Sequence, residues 1–123
     1  MFAPMKRRLV GFLGFNGVQA LDLVGPADAF ASDAFAASGE EQATAGRSPY
    51  EVVIIGLQGK RFTASSGLVM QADVTTSTRV QLDTLIVPGG AGLRAPGVGE
   101  QAAAWIAGRA RQFRRIASVC TGI

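Results

Sequence analysis

The chain has 123 residues, 48% of them apolar and 17% charged, with a formal charge of +3, one cysteine and no histidine. That length holds one domain with one sizeable core and leaves no room for a second. The composition excludes a disordered chain or a coiled coil, and no apolar run approaches the roughly 20 residues that cross a bilayer.

One cysteine cannot close an internal disulfide, so a reducing, cytoplasmic setting is the default. Met1 to Arg8 is basic, but Leu9 to Phe15 is too short and too glycine-broken for a signal sequence. Without histidine there is no Cys/His metal spacing, and neither a metal nor a cofactor is expected.

Leu9 to Phe15, L-V-G-F-L-G-F, is a continuous apolar run of strand length, the mark of a strand buried on both faces. Asn16-Gly17 turns the chain, and Val18 to Val24 is mostly apolar around one acid, Asp22. Gly25-Pro26 predicts a helix that starts at Pro26 and runs to about Ala37, with Asp28 in its first turn. Ser38 to Pro49 is small and polar and reads as an exposed, mobile loop.

Tyr50 to Leu57 is the second buried strand. Gly59 to Ser65 and Leu68 to Val74 read as two shorter strands around Ser66-Gly67. Leu82 to Val87 is the third buried strand and runs straight into Pro88-Gly89-Gly90-Ala91-Gly92. An amphipathic helix over Val98 to Gln112 follows, then a fourth buried strand, Arg115 to Val119, which ends at Cys120.

The basic clusters Lys6-Arg7-Arg8 and Arg109 to Arg115 flank predicted strands, where such residues guard against aggregation. That reading is preferred to nucleic-acid contact, since no aromatic residues are interleaved.

Buried strands alternating with helices, with glycine-rich turns at the strand C-termini, describe an α/β fold: a parallel sheet with helices on both faces. Ligands of such folds bind in the crevice beyond those strand ends. Asp22, Gly89-Gly90 and Cys120 come from three separate stretches and are expected to converge on that one edge.

A cysteine at a sharp strand-to-helix turn projects its sulfur above the sheet, as a nucleophile elbow does, and Ser118 and Gly122 are small enough to permit the turn. A following helix would favour the thiolate there. The competing reading is a small buried hydrophobe. The amides of Gly89, Gly90 and Thr121 offer a place for a negative oxygen beside the sulfur, or the glycines merely make a tight strand exit. Asp22 either works with the Cys120 sulfur as hydrogen-bond partner or general acid/base, or caps a helix.

The stretches V-G-F-L-G-F-N-G-V-Q-A-L-D-L-V-G-P, D-T-L-I-V-P-G-G-A-G and A-S-V-C-T-G together resemble the ThiJ/PfpI superfamily, whose fold is flavodoxin-like and related to the class I glutamine amidotransferases. Within it, C-T-G at the elbow, L-D-L-V-G-P and P-G-G-A-G look most like the N-terminal domain of GlxA-type, AraC-family transcriptional regulators, and second most like the isocyanide hydratases. The resemblance implies that Cys120 is the nucleophile or sensor cysteine, Asp22 the acid against it, and Gly89, Gly90 and Thr121 the ligand-binding amides. Peptidases of the superfamily carry histidine after the cysteine. Here Thr121 stands there, which counts against a peptidase.

Members of the superfamily continue past the elbow with a helix and further strands. Residues 1–123 are therefore expected to be the N-terminal part of one such domain, cut short just after the elbow, with the apolar flanks of Arg115 to Val119 exposed. The resemblance implies a small-molecule-sensing, homodimeric regulator that meets DNA only through residues beyond Ile123. A cysteine-dependent isocyanide hydratase is the alternative, and a redox- or stress-sensing cysteine protein a third reading.

Overall fold

The structure, a computed structural model, describes residues 7–32 and 48–122. Strand β1, Arg8–Gly14, lies at the centre of the molecule. The helix α1, Ala20–Ala31, follows it and leads to β2, Tyr50–Gly56. A small antiparallel hairpin comes next, with β3, Arg61–Thr63, paired to β4, Val69–Gln71. The chain then forms β5, Val74–Thr75, and β6, Thr84–Val87. A 3-10 turn at Ala91–Arg94 precedes helix α2, Val98–Arg109, and a second at Ala110–Gln112 leads into β7, Arg115–Ser118.

Five strands form one sheet in the order β5-β2-β1-β6-β7, and every pairing within it is parallel. Register runs from Arg8↔Tyr50 to Gly14↔Gly56 on one side of β1, and from Val10↔Thr84 to Phe12↔Ile86 on the other. The crossover through α1 moves one way across the sheet and that through α2 the other. Right-handed connections therefore place the two helices on opposite faces, which gives the flavodoxin-like α/β architecture expected from the sequence.

Parallel strands covered on both faces need apolar residues at successive positions, which is why β1 is apolar after Arg8 and β6 after Thr84. Val10, Phe12, Leu13, Leu85 and Val87 are at most 1% exposed, and each such side chain contributes about 1.5–3 kcal/mol by leaving water. Phe30 of α1 packs edge-on against Phe12 and Tyr50, with ring centroids 6.4 and 5.0 Å away. Trp105 of α2 packs against Phe113 at 6.1 Å.

Three expectations are revised. The first helix begins at Ala20, not Pro26, so Pro26 lies inside it. A proline there forfeits one intrahelical bond, to the Asp22 carbonyl, and Gly25 before it has no Cβ to collide with the ring. The predicted tail of that helix beyond Ser32 and most of the loop over Ser38 to Pro49 lie outside the described residues.

Secondly, β5 was not foreseen as a separate strand: two residues pairing with the end of β2 are too short to leave a periodic signal. Thirdly, of the two expectations for Arg115 to Val119, burial in a completed sheet and exposed apolar flanks in residues 1–123 alone, the second holds: all four residues of β7 are exposed, Ile116 by 45%. It occupies the edge of the sheet, paired to β6 alone.

Candidate functional site

The sheet order changes direction between β1 and β6, since the chain leaves β1 toward β2 and leaves β6 toward β7. The crevice at such a switch point is where open α/β sheets hold ligands. The segments leaving β1, β6 and β7, three neighbouring strands, bring Asp22, Gly89 and Cys120 to this edge.

Asp22 sits in the first turn of α1, half-buried. It does not cap that helix: Gln19 is the N-cap residue and makes no side-chain cap bond. The Asp22 carboxylate instead accepts from the main-chain N–H of Gly89 at 3.2 Å. Gln19 N–H donates to the Gly89 carbonyl at 2.8 Å, so both polar groups of Gly89 are spoken for by the entry to α1.

Only glycine fits at position 89. A Cβ there would stand 2.8 Å from Thr121 N, 2.9 Å from Thr121 Oγ1 and 3.0 Å from Asp22 Oδ2. These distances also show how closely the three segments approach one another. Gly90 N–H donates to Thr121 Oγ1 at 3.2 Å, which ties the turn after β6 to the turn after β7.

Cys120 is exposed and has φ 56°, and is the non-glycine residue with positive φ among the described residues. The turn around it is closed by Gly122 N–H donating to the Val119 carbonyl at 2.9 Å, and Val119 N–H donates to the Val87 carbonyl at 3.0 Å. The left-handed conformation of a residue with a Cβ costs about 1–3 kcal/mol and is held by its surroundings. Gly122 is part of those surroundings, since a Cβ on it would lie 2.1 Å from the Val87 carbonyl oxygen.

The five residues singled out from the sequence therefore occupy one edge, but their bonds differ from those anticipated. Among the described residues the Asp22 carboxylate bonds the Gly89 amide and not the Cys120 thiol. The Gly89 and Gly90 amides, expected to face a ligand oxygen, are taken by Asp22 and Thr121. The Thr121 hydroxyl was not anticipated as an acceptor; its only sequence signal is a hydroxyl residue between Cys120 and Gly122.

Asn16, also not singled out, braces the edge. Its N–H donates to Gln58 Oε1 at 2.8 Å, and its side-chain oxygen accepts from Thr63 N–H at 2.9 Å, pinning the β3–β4 hairpin beside the end of β1.

The strongest electrostatic pair lies at the opposite end of the sheet. The Arg114 guanidinium grips Asp83 with bonds of 2.7 and 3.1 Å. That bond, helped by the Thr84 hydroxyl and opposed by partial burial, holds the Asp83 carboxyl down to about 2 from its usual 3.8. A cavity of 690 Å³ opens beside this pair and not at the Cys120 edge. Among the described residues no cluster of three His, Cys, Asp or Glu is placed to hold a metal, and no helix is long and apolar enough to cross a membrane.

Comparison with known proteins places these features in context. Residues 8–123 match the profile of the DJ-1/PfpI family. An uncharacterised protein from Streptomyces lividans is 33% identical over 110 residues, 89% of this chain and 71% of that one. The isonitrile hydratase of Pseudomonas putida is 34% identical over 113 residues, covering 92% of this chain and 43% of the hydratase. The HTH-type transcriptional regulator GbdR of Pseudomonas aeruginosa is 35% identical over 77 residues, 63% of this chain and 21% of the regulator.

The crystal structure of a ThiJ/PfpI family protein from Pseudomonas syringae superposes with a TM-score of 0.72 at 24% identity, over 96% of this chain and 44% of that one. The chain thus spans less than half the length of the hydratase, the regulator and this solved structure.

Proposed function

This chain belongs to the DJ-1/PfpI family, and on that premise we propose that it is the small-molecule-sensing part of an AraC-type transcriptional regulator. The ligand sits at the edge made by Asp22, Gly89, Gly90, Cys120 and Thr121. The observation that carries this reading is the engagement of both glycine amides by the protein's own side-chain oxygens. A catalytic oxyanion hole keeps its donors aimed at the reacting atom. Here a ligand oxygen gains the Gly90 amide only by displacing Thr121, and such an exchange couples binding to a movement of the Cys120 turn.

Residues 1–123 contain no histidine, so none of them supplies the usual general base at this edge, and the identity with GbdR supports a regulator. On this reading residues 1–123 are the N-terminal part of the sensing domain, the protein is a cytoplasmic homodimer, and DNA is contacted by residues beyond Ile123.

A second reading, an isonitrile hydratase, is favoured by the exposed, left-handed Cys120 and by the 34% identity over 92% of the chain. The Cys120 thiolate would add to the isonitrile carbon while Asp22 delivers a proton. Water would then displace the sulfur and release the N-substituted formamide, returning the thiol.

One experiment separates the two. The natural full-length gene product is incubated with cyclohexyl isonitrile, and separately with DNA from its own promoter. A promoter-specific mobility shift without formamide supports the regulator. Formamide production that Cys120→Ser abolishes, without any shift, overturns it in favour of the hydratase.

A further inference from the structure

Two runs of basic residues that are distant in the chain meet at the N-terminal end of the sheet, opposite the Cys120 edge. Arg8 opens β1, Arg109 ends α2, and Arg114 precedes β7. Two cavities open there. One of 690 Å³ is lined by Arg7, Arg8 and Arg114 together with Gln81 and Gln112. The other, of 360 Å³, is lined by Arg79 and Arg109 together with the same two glutamines, so the two form one groove. Its apolar lining is supplied by Leu9, Leu82 and Val80.

Three of these arginines have evident structural tasks. Arg7 donates to the carbonyls of Ser48 and Tyr50 at 3.1 and 2.9 Å. Arg114 is held by Asp83. Arg109 lies 5.9 Å over the Trp105 ring, in the last turn of α2 where a cation suits the helix dipole. The side chains of Arg8 and Arg79 have no hydrogen bond or ion pair among the described residues. Five arginines line the groove against two carboxylates, Glu51 and Asp83; Asp83 is bonded by Arg114 and also feels the charge of Arg8, which leaves an excess of positive charge.

We propose that this groove is a second ligand site, separate from the Cys120 edge, which binds a small polyanion carrying at least two phosphate or carboxylate groups. Arg8 holds one group in the larger cavity and Arg79 the other in the smaller. Guanidinium forks match the paired oxygens of either group, and Gln81 and Gln112, at the junction, supply neutral donors between them. The cavity volumes fall in the range of small-molecule sites. The absence of aromatic residues from both linings leaves nothing for the bases of a single strand to stack on, so a single-stranded nucleic acid is the poorer fit. Solvated gatekeeper arginines would need no shared cavity.

The test is calorimetric titration of the purified protein with tripolyphosphate and with citrate, in the natural sequence and in Arg8→Gln, Arg79→Gln and the double variant. Neither substitution touches the bonds of Arg7 or Arg114, and unchanged urea midpoints confirm that the fold is kept. Each single change is expected to weaken binding about tenfold, the loss of one charge-assisted contact, and the double change to abolish it. Cys120→Ser should bind both anions like the natural protein, which keeps this result independent of the function assigned to the other edge. Absence of binding by both anions, binding untouched in the double variant, or displacement of the small anion by duplex DNA overturns the proposal.

Discussion

The main-chain amide of Gly89 donates to the Asp22 carboxylate at 3.2 Å, joining the turn after β6 to the first turn of α1 across the switch point of the sheet. Gly89 is buried and Asp22 only half so, so the amide has no ready access to water if the carboxylate is lost. Asp22→Ala is expected to destabilise the protein by about 1–3 kcal/mol, the cost of a buried donor left unpaired. Asp22→Asn keeps an acceptor oxygen and should cost less than half as much. Urea unfolding of the two variants side by side checks the order.

Replacing Gly89 by alanine probes the same junction from the other side. The added methyl would press on the Thr121 amide and hydroxyl and on Asp22, all within 3.0 Å. The main-chain amide cannot swing aside as a side chain can, so Gly89→Ala should cost about 1–3 kcal/mol by overpacking. It should also alter the rate at which iodoacetamide alkylates Cys120, because the strain is relieved through the turn that carries it. An unchanged alkylation rate would show that the two turns are uncoupled.

The left-handed backbone of Cys120 leads to a gain of stability on losing the Cβ. The strain of about 1–3 kcal/mol exceeds the entropy penalty of about 0.5–1 kcal/mol that glycine brings. Cys120→Gly should therefore unfold at higher urea than the natural protein, whereas Cys120→Ser, which keeps a Cβ, should not. Such a result would mark position 120 as one where stability is set aside for the chemistry of the side chain.

The Asp83–Arg114 pair predicts an acid-labile contribution to stability. The folded carboxyl, held by the Arg114 bond, titrates at about 2, below the usual 3.8. A lowered folded pKa stabilises the native state above the unfolded value, and that stabilisation is lost as the pH falls from near 4 through about 2. In Asp83→Asn the loss of stability across this window should be shallower. Thermal unfolding between pH 5 and pH 2 measures it, and parallel curves for the two proteins would refute the assignment.

Much of the frame is legible in the residues themselves. The runs at Leu9 to Phe15, Tyr50 to Leu57 and Leu82 to Val87 contain the central strands, because predominantly apolar sequence of that length suits a strand covered on both faces. Pro88-Gly89-Gly90 marks a strand exit through its backbone needs alone. Where the reading failed, a local rule was overridden. Gly25-Pro26 has the form of a helix start, yet the helix begins at Ala20, because one missing intrahelical bond is tolerated once tertiary contacts hold the segment. Arg115 to Val119 carries a buried strand's pattern but lies at the sheet edge, and no periodicity encodes a strand's place in the sheet order.

By itself the sequence determined the kind of fold, and it singled out Asp22, Gly89, Gly90, Cys120 and Thr121, since apolar periodicity and turn chemistry are local properties of the chain. Only the tertiary structure decided who bonds whom. It gave the Gly89 amide to Asp22 and the Gly90 amide to Thr121, and it gathered Arg8, Arg79 and Arg114 around one groove. Those pairings depend on β1, β6 and β7 lying side by side, an order set by packing the whole sheet between its helices and written in no single stretch of residues.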